Sequence, residues 1–175
     1  KYKNAWLKIY DVPVMYFPKF YHPDPTVKRQ SGFLFPAIKS SSLNGQSIQI
    51  PYFKVIDGSK DLTISPRLYL DDNLLVQTEY RQANKNSSFI SDFSFNKNKN
   101  TKSHLFSNFK GNFKDEAKIE IQLEKVTNDK YLMINDINSP IINNKSKLFS
   151  YLNFQNSDDS YFLSGNSKVD GNVLG

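Results

Sequence analysis

The sequence predicts an all-β chain folded as an antiparallel up-and-down meander, and three observations lead there. Apolar and polar residues alternate with period two in segment after segment, whereas helical periodicity is hard to find. Clusters of turn-forming residues separate these segments. The chain is rich in Phe (14) and Tyr (10), with abundant Asn, Ser and Lys, a mixture that suits strands joined by polar turns.

The elements follow in order. Ala5 to Tyr10 reads as a strand, and Val12 to Pro18 follows it. Next comes the proline-rich stretch Phe20-Tyr21-His22-Pro23-Asp24-Pro25, ending in Lys28-Arg29. Proline cannot donate a ladder hydrogen bond, so this stretch interrupts a sheet. A boundary is expected near Pro23 to Gln30, between a small upstream β-domain and the meander.

Nine strands are expected beyond it: Phe33–Ser41, Gln46–Ile56, Asp61–Tyr69, Leu74–Gln82, Ser88–Asn96, His104–Phe113, Ala117–Val126, Lys147–Gln155 and Tyr161–Val169. Alternation is clearest where Ala117, Ile119, Ile121 and Leu123 oppose Lys118, Glu120, Gln122 and Glu124. Leu74, Val76, Thr78 and Tyr80 likewise oppose Leu75, Gln77, Glu79 and Arg81, while Phe89, Phe93 and Phe95 oppose Asp92, Ser94 and Asn96. Asn44-Gly45, Asp57-Gly58, Asp71 to Asn73 and Ala83 to Asn86 form short connections, and 96–102 and 127–145 form longer ones.

A soluble sandwich turns the apolar faces of such strands inward, whereas an outer-membrane barrel turns them toward lipid and keeps a polar lumen. The connections after the second, fourth and sixth strands are short, and the long ones follow the fifth and seventh. That parity favours a transmembrane barrel with turns on one rim and loops on the other. Thr78, Ser91, Ser107 and Ser150 on the apolar faces weaken the contrast, so both architectures stay open on pattern alone.

Composition narrows the function. The net charge of +6 is spread along the chain without a basic stripe, so nucleic acid is not expected as a partner. The absence of Cys removes disulfides, thiolate metal sites and Cys nucleophiles from this chain. No apolar run is long enough for a transmembrane helix. The sequence starts at Lys1 without an initiator Met and stops at Gly175 inside a strand pattern, and a piece of a longer chain is expected.

Five segments carry a resemblance. They are Val12-Pro13-Val14-Met15-Tyr16-Phe17-Pro18; Lys28-Arg29-Gln30-Ser31-Gly32-Phe33-Leu34-Phe35-Pro36; Gly45 through Pro51-Tyr52; Asp61-Leu62-Thr63-Ile64-Ser65-Pro66-Arg67; and Glu79-Tyr80-Arg81. In this order and spacing they resemble the LptD family of lipopolysaccharide-assembly proteins, densely from about Val12 to Arg81 and as a shared rhythm of strands and loops afterwards. The resemblance implies the end of a periplasmic β-jellyroll over 1–22, a linker over 23–30 and the first strands of an outer-membrane barrel over 31–175. It also implies lipopolysaccharide as cargo, leaving sideways between the first and last barrel strands. The implied partners are an LptE-like lipoprotein plug, an LptA-like periplasmic bridge reaching the jellyroll, and outer-membrane lipid. The cysteines that tie the two domains in some members are expected to lie outside this region or to be absent.

Pro36 and Pro51 interrupt consecutive strand-like runs, and with the resemblance they mark the lateral gate. Arg81, Lys110 and Lys118 are expected on the lumen face, beside Glu79, Glu120 and Glu124, where the cations could meet phosphate or acidic sugar groups. A water-filled wall of mixed charge explains any single one of them as well. His22 and His104 have no metal-like spacing, and His104 is expected as a solvated side chain. Asp71-Asp72 and Asp158-Asp159 read as turn residues, and Ser31-Gly32 and Ser164-Gly165 lack the strand–turn–helix setting of a nucleophile elbow. No metal, cofactor or catalytic residue is expected, so the protein is expected not to be an enzyme. The expected function is lipopolysaccharide insertion into the outer leaflet, in the cell outer membrane with the N-terminal end in the periplasm. Its rivals are a generic porin or receptor barrel and a soluble carbohydrate-binding β-sandwich.

Overall fold

The computed structural model describes residues 2–9, 11–20, 29–41, 44–71, 73–97, 102–113, 117–142, 144–145, 147–158 and 161–172. They are all-β and antiparallel, apart from one helical turn. The strands β1 (Tyr2–Ile9) and β2 (Val12–Phe20) pair only with each other. Asp11 turns the chain between them at φ 63°, a left-handed conformation that Asp tolerates better than most residues.

All other strands belong to one sheet. These are β3 (Gly32–Phe33), β4 (Ala37–Ser41), β5 (Gly45–Gln49), β6 (Tyr52–Asp57), β7 (Lys60–Tyr69), β8 (Leu74–Ala83), β9 (Ser87–Lys97), β10 (Lys102–Phe113), β11 (Ala117–Val126), β12 (Lys147–Asp158) and β13 (Tyr161–Asn172). From β7 to β13 each strand pairs with its neighbour in sequence. The expected meander is therefore present, with strand ends moved by a few residues. Residues 23–28 of the expected linker, His22, Asp72 and Asp159 lie outside the described residues.

Two departures from expectation have local causes. The run expected as Phe33–Ser41 is split into β3 and β4, and Gln46–Ile56 is split into β5 and β6. Ala37 pairs with Gln49 and Phe33 with Tyr52, so residues 34–36 face only 50 and 51. The extra residue makes a bulge at Pro36 and Pro51. Pro51 O accepts from Leu34 N–H (2.8 Å) and Pro66 O accepts from Ile50 N–H (3.0 Å). The N and C=O of one antiparallel residue point the same way. Pro51 therefore withholds a donor from the β3/β4 side, and Pro66 from the β5/β6 side.

The second departure is α1 (Tyr131–Ile134), inside the connection expected to be a loop. Its end is a Schellman motif. Asp136 takes φ 44°, Ile137 N–H donates to Leu132 O (2.9 Å) and Asp136 N–H to Met133 O (3.2 Å). Leu132 and Ile137 are both fully buried, matching the apolar contact that accompanies this cap.

The register sorts side chains onto two faces. Ile38, Ile64, Leu68, Phe93, Leu105, Ile121, Leu123 and Leu152 share one face and are exposed. Asp61, Arg67, Asp92, Ser94, Asn96, His104 and Glu124 share the other and are buried. This distribution inverts that of a water-soluble sheet. On the apolar face, a Cβ at Gly111 would come within 3.0 Å of the Phe113 ring and 3.1 Å of the Phe109 ring. Glycine there lets both aromatic rings close over the strand.

Candidate functional site

The site is the polar face of the sheet and the segment 127–142 that covers it. Asn128 starts the turn into α1: its O accepts from Tyr131 N–H (3.0 Å) and its Oδ1 from Lys130 N–H (3.2 Å). The short helix and the segment after it bring Tyr131, Leu132, Ile137 and Ile141 onto Tyr69, Leu75, Phe106 and Leu148, forming one buried cluster. Burying such side chains stabilises the arrangement by roughly 1.5–3 kcal/mol apiece. The covering segment is thus held mainly by apolar contact.

Polar anchors fix its position. Ser94 Oγ lies 2.6 Å from His104 Nδ1 and 2.7 Å from Tyr131 OH. His104 Nε2 stands 3.4 Å from Asp92 Oδ1 without a hydrogen bond, and Gln77 Nε2 donates to both Asp92 oxygens (3.1 Å). The carboxylate favours the proton on Nε2, so Nδ1 accepts from Ser94 and Ser94 accepts from Tyr131. Ser94, His104 and Asp92 match a hydrolytic triad in residue type only. All three are buried, and the serine hydroxyl is engaged on both sides. Burial pushes the Tyr131 phenol up to about 12, so it stays a neutral hydrogen-bonding group at neutral pH.

Asn135, which follows α1, is a second anchor. Its Oδ1 accepts from Asn96 Nδ2 (3.0 Å), its Nδ2 donates to Tyr131 O (2.9 Å) and its carbonyl accepts from Arg67 Nη1. Asn44 Nδ2 donates to Ile134 O (2.8 Å). Asp136 receives Lys39 (2.9 Å) and Lys145 (3.2 Å). Their hydrogen bonds, Lys39 first, hold its carboxyl below the ordinary range against the opposing effect of burial.

The expected site residues fall in three separate places. Pro36 and Pro51 lie at the bulge between the first two broken strands. Arg81 is on the polar face, with its Nε 2.8 Å from Asp61 and 3.4 Å from Glu79; Asp61 also holds Arg29. Lys110 pairs with Glu120 at 3.0 Å, and Lys118 is exposed. The structure does not gather Arg81, Lys110 and Lys118 into one cluster. Glu124 is buried and accepts from Phe149 N–H (2.8 Å) and Gln122 Nε2 (2.6 Å).

His104 corrects an expectation. It is not a solvated side chain but is 1% exposed, because the segment after β11 lies over it. Alternation placed it on the polar face correctly, and nothing in alternation reveals what covers that face. The same oversight hid Arg67, Ser94 and Tyr131. The available signal was the apolar content of the long connection: Tyr131-Leu132-Met133-Ile134, Ile137 and Ile141-Ile142. A solvated loop has no use for such a run.

No protein-family model matches the chain. A stretch of 137 residues, 75% of the chain, is 29% identical to the LPS-assembly protein LptD of Pseudoalteromonas atlantica, of which it covers 18%. Over 84 residues, 48% of the chain, identity is 38% to the LPS-assembly protein LptD of Pseudomonas savastanoi pv. phaseolicola, of which 9% is covered. Over 78 residues, 45% of the chain, it is 37% to that of Shewanella oneidensis, of which 10% is covered. The chain spans less than a fifth of the length of these curated relatives. With its antiparallel meander, exposed apolar face and covered polar face, the chain is similar in sequence to a segment of the LPS-assembly proteins LptD.

Proposed function

We propose that this segment forms the opening part of an outer-membrane β-barrel that inserts lipopolysaccharide into the outer leaflet. In this reading residues 1–22 close a periplasmic jellyroll, 23–30 link it to the barrel, and 31–175 supply the first barrel strands. The observation that carries it is the inversion of the sheet: apolar side chains such as Ile121 and Leu152 lie on the exposed face, and ionic side chains such as Asp92 and Arg67 on the buried one. That arrangement suits lipid outside and a polar lumen inside. The names of the similar proteins supply the cargo. An LptE-like plug and an LptA-like bridge are the partners that go with it.

Pro36 and Pro51 are proposed as part of a lateral gate. The bulge between β3/β4 and β5/β6, and the donor missing at Pro51, support a weakened seam on the strands where cargo would leave. Pro66 extends the deficit to the next seam. Arg81, Lys110 and Lys118 are proposed lumen contacts for cargo, reached by exchange of their carboxylate neighbours or, for Lys118, directly.

The test is delivery of labelled lipopolysaccharide by the full-length protein with its partner, reconstituted in vesicles. Delivery across the bilayer is expected. Passage of small solutes without lipopolysaccharide delivery would mark a porin. A chain monodisperse in plain buffer that binds oligosaccharide would mark a carbohydrate-binding sandwich.

A further inference from the structure

We propose that the cavity beside α1 is an anion site, taking a phosphate or carboxylate carried on a saccharide. The cavity has a volume of about 460 Å³ and lies between α1 and the polar side of β4, β5 and β7. That volume falls within the roughly 300–1,000 Å³ of small-molecule sites. Lys39, Asn44, Ser47, Arg67, Tyr69 and Asp136 are on its wall.

Charge is the first argument. Arg67 is 3% exposed, yet both its bonded partners are neutral: Nη1 donates to Asn135 O and Nη2 to Gln49 Oε1 (3.0 Å). Among the described residues its Nε has no partner and no carboxylate pairs with it. The nearby carboxylate, Asp136, already receives both Lys39 and Lys145. Three cations therefore meet one anion. A buried guanidinium without a counter-charge is unfavourable, and a bound anion supplies what is missing.

Chemistry of the wall is the second argument. Among the described residues, Ser47 Oγ is held only at 3.5 Å, by Lys39 O, and Tyr69 OH only at 3.5 Å, by Asn135 Oδ1. Both hydroxyls are at the limit of hydrogen-bond reach and are available to turn toward a ligand. With one N–H of Nη1 and one of Nη2 engaged, Arg67 keeps a further N–H on each for a ligand. One oxyanion oxygen on a remaining Nη N–H of Arg67, with neighbouring oxygens on Ser47 and Tyr69, completes the set. Asn44, Ser40 and Ser47 give the wall a polar, hydroxyl-matching character suited to a sugar.

Place is the third argument. Lys39 and Ser47 lie on β4 and β5, the strands that continue into the proline bulge. An acidic sugar held here would sit beside the proposed gate. This identification of cargo rests on the proposed function, whereas the anion site itself does not.

The test uses the full-length protein in detergent, titrated calorimetrically with glucose 1-phosphate, glucuronate, inorganic phosphate and glucose. Binding of glucose 1-phosphate or glucuronate, with no binding of glucose, is expected. Arg67→Gln should weaken it roughly tenfold or more, and Arg67→Lys less, as expected when a charge-assisted hydrogen bond is lost. Equal binding by wild type and Arg67→Gln overturns the proposal, as does equal binding of glucose. Inorganic phosphate binding as tightly as the sugar phosphate overturns the saccharide part. Should Arg67→Gln fail to fold, Tyr69→Phe decides, with a roughly threefold loss expected from one hydroxyl contact and unchanged affinity counting against the site. Lipopolysaccharide delivery measured in parallel separates the two readings. Delivery without anion binding removes the site alone, and anion binding without delivery removes the transport function alone.

Discussion

The hydroxyl of Ser94 lies 2.7 Å from that of Tyr131, joining the middle of the sheet to the segment that covers it. Tyr131→Phe keeps the buried ring and removes this bond. It should loosen the segment by about 1 kcal/mol, speeding hydrogen exchange at residues 131–137 roughly fivefold. Unchanged exchange there would show that the Ser94–Tyr131 bond does not help to hold the segment.

Ile121 is 41% exposed and stands between Phe109 and Leu152 on the apolar face. In the full-length protein in a bilayer, Ile121→Arg should destabilise by about 2–4 kcal/mol near the midplane. Lys118→Glu, on the opposite face of the same strand, should change stability little. A spin label at 121 shielded from lipid-soluble oxygen would contradict the assignment of faces.

The Asp136 carboxyl is held below its ordinary 3.8, first by the Lys39 hydrogen bond and then by Lys145. A depressed folded value means that the attachment is complete above the ordinary value and is lost as pH falls through the folded one. Because Asp136 is more than half exposed, the attachment contributes a fraction of a kcal/mol at most. A spin label replacing exposed Met133 should keep constant mobility from neutral pH to about pH 5 and become more mobile below about pH 4. Lys39→Met should blunt that transition. A transition of the same size in Lys39→Met would remove this ion pair from the account.

Pro36 and Pro51 interrupt two adjacent strands. Replacing both by Ala should strengthen the seam by about 0.5–1.5 kcal/mol for each hydrogen bond restored and slow lipopolysaccharide delivery without unfolding the barrel. Wild-type delivery by the double variant would end the gate assignment.

The strands were legible because alternation and turn chemistry are local. Ala117 to Val126 appears where its pattern put it, and Gly45 takes φ 68° at the Asn44-Gly45 turn. The prolines were legible as interruptions, but the three-against-two bulge depends on the partner strand and could not be read from one run. The covered site was not legible, because its contacts are long-range. Arg67 looks like any polar-face cation until Asn135, 68 residues away, is laid over it.

Those separations bear on assembly. Lys39 meets Asp136 across 97 residues and Asn44 meets Ile134 across 90, so the covering segment finds all its anchors only in a sheet whose strands β4 through β10 lie side by side. Its anchor points come from β4, β7, β9 and the turn before β5, and all must be in place together. A slip of one residue in any strand exchanges its two faces, presenting Leu68 where Arg67 should be or Phe93 where Ser94 should be. The segment would then find no partner for Asn135 or Tyr131. The docked segment is thus compatible only with sheets whose strands have met in the right register.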